Sequence, residues 1–308
     1  MPLSKRRRCC GLGTMGKQTD ILSGGGIKVP GNSGCLVDIV FLDQHIAVRK
    51  SACSPEYAIR LHNQRIKQES FCCNIQGLRV PKIIQHDEMS FTMEYLPMLD
   101  CIEFFERATP NVIKSRIETL IKLVTWELNS AVITVVDGDK FRKKLVDIQM
   151  SVPVNIWEQW YSNYAADVQG MLLNPVELPL GQCHGDLTMS NVMFSIEDEC
   201  VGIIDFLDSY IESPVVDIVK LRQDTRYHWT NRRYLREHDH GKVSIVNRWI
   251  DAIITQSFHD LIVSRAFWLL EMMNYLRIAP YVHTEEEHRY LSRVMAEIVS
   301  IKEDVLCG

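Results

Sequence analysis

Long apolar runs are missing from this 308-residue chain, and none reaches the length needed to span a membrane. Charge of one sign is also missing. Thirty-four basic residues face 39 acidic ones, and the net charge of −5 argues against general nucleic-acid binding. There are ten cysteines, yet no two stand in a C-x-x-C pair. Cys9-Cys10 and Cys72-Cys73 are adjacent, and Cys35, Cys183 and Cys200 lie beside strand-like runs. They read as small hydrophobes of a reducing compartment, not as a disulfide or zinc framework, so a cytoplasmic location is expected. The start, MPLSKRRRCCGLGTMGK, has a basic cluster but no apolar stretch behind it, which excludes a secretory signal. Residues 1–20 are expected to form a disordered tail, and no internal repeat or low-complexity segment is found.

What is present is an ordinary globular balance, 46% hydrophobic and 24% charged, with enough length for one large or two small domains. The most informative stretch is residues 182–207, QCHGDLTMSNVMFSIEDECVGIIDFL. His184-Gly185-Asp186 is followed by Asn191, then by two apolar runs separated by the polar Glu197-Asp198-Glu199. The runs predict two short strands joined by a hairpin turn. Such a hairpin brings Asn191, before the first strand, beside Asp205, after the second. Two hard oxygen donors side by side suit Mg²⁺, which binds through one or two protein groups plus substrate phosphates. A third carboxylate off the metal, Asp186, can accept the proton of an attacking hydroxyl.

The spacing D-x-x-x-x-N followed by Asp205-Phe206 matches the catalytic loop and metal-binding pair of kinases. Glycine stands where protein kinases carry arginine after the histidine, and leucine follows Asp205-Phe206 in place of glycine. His-Gly-Asp in this setting resembles the aminoglycoside phosphotransferase and choline kinase family, small-molecule kinases of protein-kinase-like fold. The resemblance covers residues 20–280. It implies an α+β, two-lobed protein-kinase-like fold, with a small β-rich N-lobe over residues 21–96 and a larger, mainly helical C-lobe over residues 97–308.

Further roles are implied by the same resemblance. The glycine-rich stretch before the first long strand, with Gly31 and Gly34, is the candidate cover for nucleotide phosphates; no G-K-[ST] follows, so it is not a Walker A loop. In the strand at residues 45–50, Arg49 and Lys50 point to opposite faces, and Lys50, sharing a face with Val48, stands where the family's V-x-K pattern puts its phosphate-binding lysine. Ser54-Pro55 opens a helix. Relatives place an acid on this helix to hold the lysine; here Gln64 and Gln68 stand near the expected position and Glu69 one step off. Glu94, Tyr95 and Leu96 fall at the hinge whose backbone would meet a purine. Asp217, in an apolar helix where a lone carboxylate is expensive, is expected to brace the catalytic loop, with His184 as a second support.

Helical stripes at Ile113, Ile117, Leu120 and Val124, and at Trp157, Trp160, Tyr164, Val168 and Met171, are core. Residues 222–242 carry six basic side chains with Tyr227, Trp229 and Tyr234 between them, so Arg222, Arg226 and Trp229 are the acceptor-side candidates. The expectation is ATP- and Mg²⁺-dependent phosphorylation of a hydroxyl on a small molecule or glycan precursor, anionic or neutral in charge. A non-catalytic nucleotide-binding regulatory module is the alternative, motivated by the missing acid on the first helix. A protein acceptor ranks lower, since nothing after Asp205 resembles an activation segment.

Overall fold

A computed structural model describes residues 27–29, 35–42 and 44–306. The expected tail and the candidates Gly31 and Gly34 lie outside these residues. Strands β1 (Ile27–Val29), β2 (Cys35–Leu42) and β3 (His45–Ala52) pair antiparallel, and β3 then pairs with β6 (Ser90–Glu94), which pairs with β5 (Ile83–His86). Helix α1 (Pro55–Ser70) follows β3, with Ser54 Oγ accepting the Tyr57 N–H at 3.2 Å and proline in the first turn. Leu61 of α1 packs on Phe91 and Met93, with Val48 and Ala52 of β3 alongside. Alternation therefore turns the Lys50 side of β3 under α1.

Between α1 and β5 the chain leaves this sheet. Strand β4 (Leu78–Arg79) pairs parallel with β10 (Val201–Ile203), which pairs antiparallel with β9 (Val192–Phe194). Residues within the stretch expected to form the N-lobe thus support the hairpin of the other lobe. The register Val192↔Ile203 sets Asn191 opposite Ile204, whose N–H donates to Asn191 O at 3.0 Å.

The larger part is mainly helical. It contains α2 (Cys101–Arg107), α3 (Pro110–Ser130), α4 (Asp139–Ser151), α5 (Val154–Trp160) and α6 (Ser162–Met171), with β7 (Val132–Val136) pairing with β8 (Val176–Leu180). After the hairpin come α7 (Pro214–Thr225), α8 (Trp229–Arg233), α9 (His240–Ser257), α10 (His259–Ile262), α11 (Arg265–Ile278) and α12 (Glu285–Leu306). Among the described residues no helix is long and apolar enough to cross a membrane. The stripe from Trp157 to Met171 faces the core as expected, but it is divided between two helices. The backbone turns at Tyr161 (φ −127°), which is fully buried and hydrogen-bonded to His288.

The hairpin is seated on aromatic packing. Phe194 stacks on Phe104 of α2 with ring centroids 4.5 Å apart and planes 7° from parallel, and Phe206 lies 4.9 Å from Phe71. A Cβ at Gly202 would come within 2.5 Å of Leu96 Cδ1 and 3.2 Å of Met98 Sδ, so those side chains would have to shift to admit it. Leu96 and Met98 thereby close directly over β10. Replacing Phe194 by alanine removes a fully buried ring and should cost about 3–5 kcal/mol. Urea unfolding should show a lowered midpoint with little change in slope; an unmoved midpoint would mean that the ring stack does not secure the hairpin.

Candidate active site

The loop from His184 to Asn191 is fixed from below by α7. Asp217, fully buried, accepts the N–H groups of His184 at 2.6 Å, Gly185 at 2.8 Å and Leu187 at 3.4 Å. Burial pushes its carboxyl up to about 7, opposed by Lys67 and by these N–H groups. Glu127, also fully buried beside it, is pushed well above the usual carboxylate range by burial and then by Asp217. Because Asp217 accepts at both oxygens, we assign the charge to Asp217 and the proton to Glu127.

His184 is tied into the same loop. The Asp186 N–H donates to its Nδ1 at 3.2 Å, which leaves Nε2 to carry the proton and donate to Ile204 O at 2.8 Å. Burial first of all lowers its pKa to about 4, so the ring is neutral near pH 7. The glycine of His-Gly-Asp is obligatory: Gly185 has φ +84°, and a Cβ would lie 2.0 Å from Leu207 O.

Asp186 projects from this loop between an amide and two cations. Asn191 Nδ2 donates to Asp186 Oδ2 at 3.1 Å and to its backbone oxygen at 2.8 Å. Lys220 Nζ of α7 lies 2.9 Å from Asp186 Oδ1, and Arg277 of α11 lies 3.7 Å away. Burial works against the Asp186 charge, but Lys220 and then Arg277 outweigh it and hold the carboxyl at about 2. Lys220 is pulled down to about 8 by burial and then by Arg277. Asp224, one turn further along α7, accepts the Met189 N–H at 2.7 Å and the Thr230 N–H at 2.9 Å. Neither Lys220, Arg277 nor Asp224 was expected from the sequence; only their position after the bracing aspartate, or on a buried helix, could have drawn notice.

Across the cleft, Lys50 of β3 is buried and ion-paired with Asp205, whose side chain is 41% exposed. Asp205 has φ +65°, the left-handed region that a non-glycine residue seldom occupies. Arg49 turns away toward Thr92 at 3.4 Å. The donor chemistry suits Mg²⁺. Asn191 uses its nitrogen on Asp186, which leaves its amide oxygen as a hard donor, and the carboxylate of Asp205, next along the chain from the Ile204 that bonds the Asn191 backbone, is another.

Other expectations are corrected. Glu69 pairs with Arg65 at 2.5 Å on the outer face of α1 and does not reach Lys50. Gln68 donates to Pro81 O at 2.7 Å, so neither residue replaces the missing acid; Asp205 holds the lysine instead. The residue of α1 that reaches the other lobe is Lys67, which donates to Leu207 O at 2.9 Å and to Glu212 at 2.5 Å. The Glu94 N–H donates to Lys82 O at 2.9 Å inside the sheet, so of its backbone groups only the carbonyl oxygen is left for a purine edge.

The acceptor-side candidates lie elsewhere. Arg222 is buried, 3.1 Å from Asp251 and 3.6 Å from Glu271. Arg226 donates to Glu297 at 2.7 Å, and Trp229 stacks on Tyr290. Acids of α9, α11 and α12 neutralise these arginines, so the basic segment ties helices together. It does not line the cleft beside Asp186.

Residues 140–248 match the sequence model of the phosphotransferase enzyme family, APH. No curated protein matches the chain in sequence. In fold it is similar to a thermostable mutant of aminoglycoside phosphotransferase APH(4)-Ia in its apo form (9% identity, 91% of this chain and 94% of that one, TM-score 0.61). It is also similar to the choline kinase LicA from Streptococcus pneumoniae (10% identity, 88% and 92%, TM-score 0.57). A Plasmodium vivax ethanolamine kinase is a third such structure (12% identity, 91% and 83%, TM-score 0.52). The chain has the two-lobed, protein-kinase-like α+β fold, and the resemblance read from His184 to Asp205 is borne out.

Because the Asp186 pKa is depressed, its ion pairs contribute stability that is present above its ordinary value of 3.8 and lost as pH falls toward about 2. Lys220→Met removes the strongest of those pairs, so the Asp186 carboxyl should titrate at higher pH. Breaking one partner of a buried pair should cost about 3 kcal/mol at neutral pH. Urea titrations across pH 2–7 and the carboxyl carbon shift of Asp186 would check both; an unmoved titration would show that Lys220 does not hold the charge.

Proposed function

We propose that the protein is a small-molecule kinase, transferring the γ-phosphoryl group of ATP to a hydroxyl in the cleft around Asp186. The observation that best supports this is the pairing of Lys50 with Asp205, 155 positions apart, next to a loop on which Asn191 holds Asp186. The fold neighbours include a choline kinase, an ethanolamine kinase and an aminoglycoside phosphotransferase, all named for small-molecule acceptors.

In this reading, Asn191 and Asp205 would hold Mg²⁺, which when bound neutralises phosphate charge and orients the phosphates. Lys50 exchanges Asp205 for the α- and β-phosphates. The backbone of Tyr95 and Leu96 meets the purine edge, over the floor made by Gly202. In the transfer, the bond from the γ-phosphorus to the bridging oxygen breaks and ADP leaves. A bond forms to the acceptor oxygen, and the acceptor proton passes to Asp186.

A carboxyl held at about 2 is a weak base. It can accept a hydrogen bond from the neutral hydroxyl and so aim it, but it takes the proton only late, once the new P–O bond has made that proton acidic. A loose transition state with little early bond formation suits such a group. The alternative of a binding module without turnover draws on the missing acid on α1. Against it, Asp205 takes over that lysine, and nucleotide binding alone gives no reason to keep Asp186 ionised and facing the cleft.

Asp186→Ala and Asp205→Ala should each lower kcat by on the order of 10²-fold or more in an ADP-release assay. Thermal stabilisation by Mg·ATP should survive Asp186→Ala and weaken in Asp205→Ala and Lys50→Met. Near-normal turnover by purified Asp186→Ala would overturn the assignment. Stabilisation of the wild type by Mg·ATP with no turnover on any acceptor would favour the binding module.

A further inference from the structure

Charge around Asp186 is not balanced by Asp186 alone. Lys220, buried at 2.9 Å, supplies one positive charge to match the carboxylate. Arg277, 3.7 Å from the same oxygen, adds a second, and its side chain is 26% exposed, so it meets both the carboxylate and the cleft. Its other polar contact is with the neutral amide oxygen of Asn274 at 3.5 Å.

A further cation stands close by. Helix α11 packs on α4 and so does the short turn after it, and Lys144 of α4 is partly buried there. Burial first, then Arg277, then Arg60 from α1 of the other lobe lower the proton affinity of Lys144, and Asp147 acts in the opposite sense. Arg277 therefore stands beside the Asp186 carboxylate, and Lys144, on a helix packed against α11, adds a cation near Arg277. Like charges gathered in this way are unfavourable in the free protein and become favourable when an anion enters. In the phosphotransferase reading the ATP phosphates would meet Lys50 and the metal held by Asn191 and Asp205, so they do not account for Arg277. A choline- or aminoglycoside-like cation would meet repulsion on this side.

We infer that the acceptor carries an anionic group of its own, a phosphate or carboxylate, near the hydroxyl that is modified, and that Arg277 and Lys144 hold that group. This rests on the phosphotransferase reading and adds the acceptor's charge, with residues other than the arginines of 222–242. Arg277 and Lys144 are then specificity-determining residues.

The test is ADP release with Mg·ATP and acceptors that differ in charge: glycerol against glycerol 3-phosphate, glucose against glucose 1-phosphate and glucuronate, with choline and kanamycin as cations. An anionic member should be preferred over its neutral partner by roughly tenfold or more in kcat/KM. Arg277→Ala should raise KM for the preferred anionic acceptor by roughly tenfold or more while the KM of its neutral partner moves little. Arg277→Lys should recover part of the loss, and Lys144→Ala, at a less buried site, should act in the same direction. Preference for choline or kanamycin would overturn the inference. So would an equal loss on both members of a pair, which would place Arg277 on the transferring phosphoryl group.

Binding gives a second readout that needs neither turnover nor a fully stable Arg277→Ala. With Mg·AMP-PNP present, inorganic sulfate at low millimolar concentration should raise the melting temperature of the wild type more than that of Lys144→Ala. Equal shifts would count against the site. Failure of Mg·ATP itself to stabilise the wild type would instead sink the phosphotransferase reading beneath it, whereas stabilisation with a cationic preference sinks the charge inference alone.

Discussion

Three backbone N–H groups of the His184–Asn191 loop converge on one buried carboxylate, and the rest of the site depends on that convergence. A buried charge is costly unless it is hydrogen-bonded, and a loop that buries N–H groups needs acceptors for them. Each requirement answers the other here. With His184, Gly185 and Leu187 tied to Asp217, the Asp186 side chain has little freedom in its direction. The neighbouring Glu127, holding the proton, keeps the pair from carrying two charges in one apolar space.

The same helix serves the loop at three successive levels. Asp217, Lys220 and Asp224 recur at intervals of three and four residues, so they share one face of α7. The first holds the backbone before Asp186, the second its carboxylate, and the third the turn that leads to Asn191. The hairpin then returns the chain to Asp205, beside Asn191, where Lys50 meets it from the other lobe. One helix face, one hairpin register and one interlobe ion pair suffice to define the cleft.

Much of this was legible in the sequence where the physics is local. A glycine at φ +84° leaves its mark as His-Gly-Asp, strand alternation separates Lys50 from Arg49 while the family resemblance favours Lys50, and the apolar runs around Glu197 predict the hairpin. Asp217 stood out because its neighbours are apolar. What stayed hidden is what depends on distant partners. Lys220 and Asp224 look like the polar side of an amphipathic helix until the whole of α7 proves to be buried. Arg277 lies 91 positions from the aspartate it faces. Arg222 and Arg226 misled for the same reason, since their acids, Asp251, Glu271 and Glu297, come from helices further along the chain. Charge density along a sequence does not say which charges are already neutralised.

The twelve residues of α7 are all buried, leaving the helix no solvent face. An ordinary surface helix can accumulate change on its wet side without harm to the rest. Here any replacement disturbs packing and loop position together, so drift in this element is read out as lost folding and lost chemistry at once.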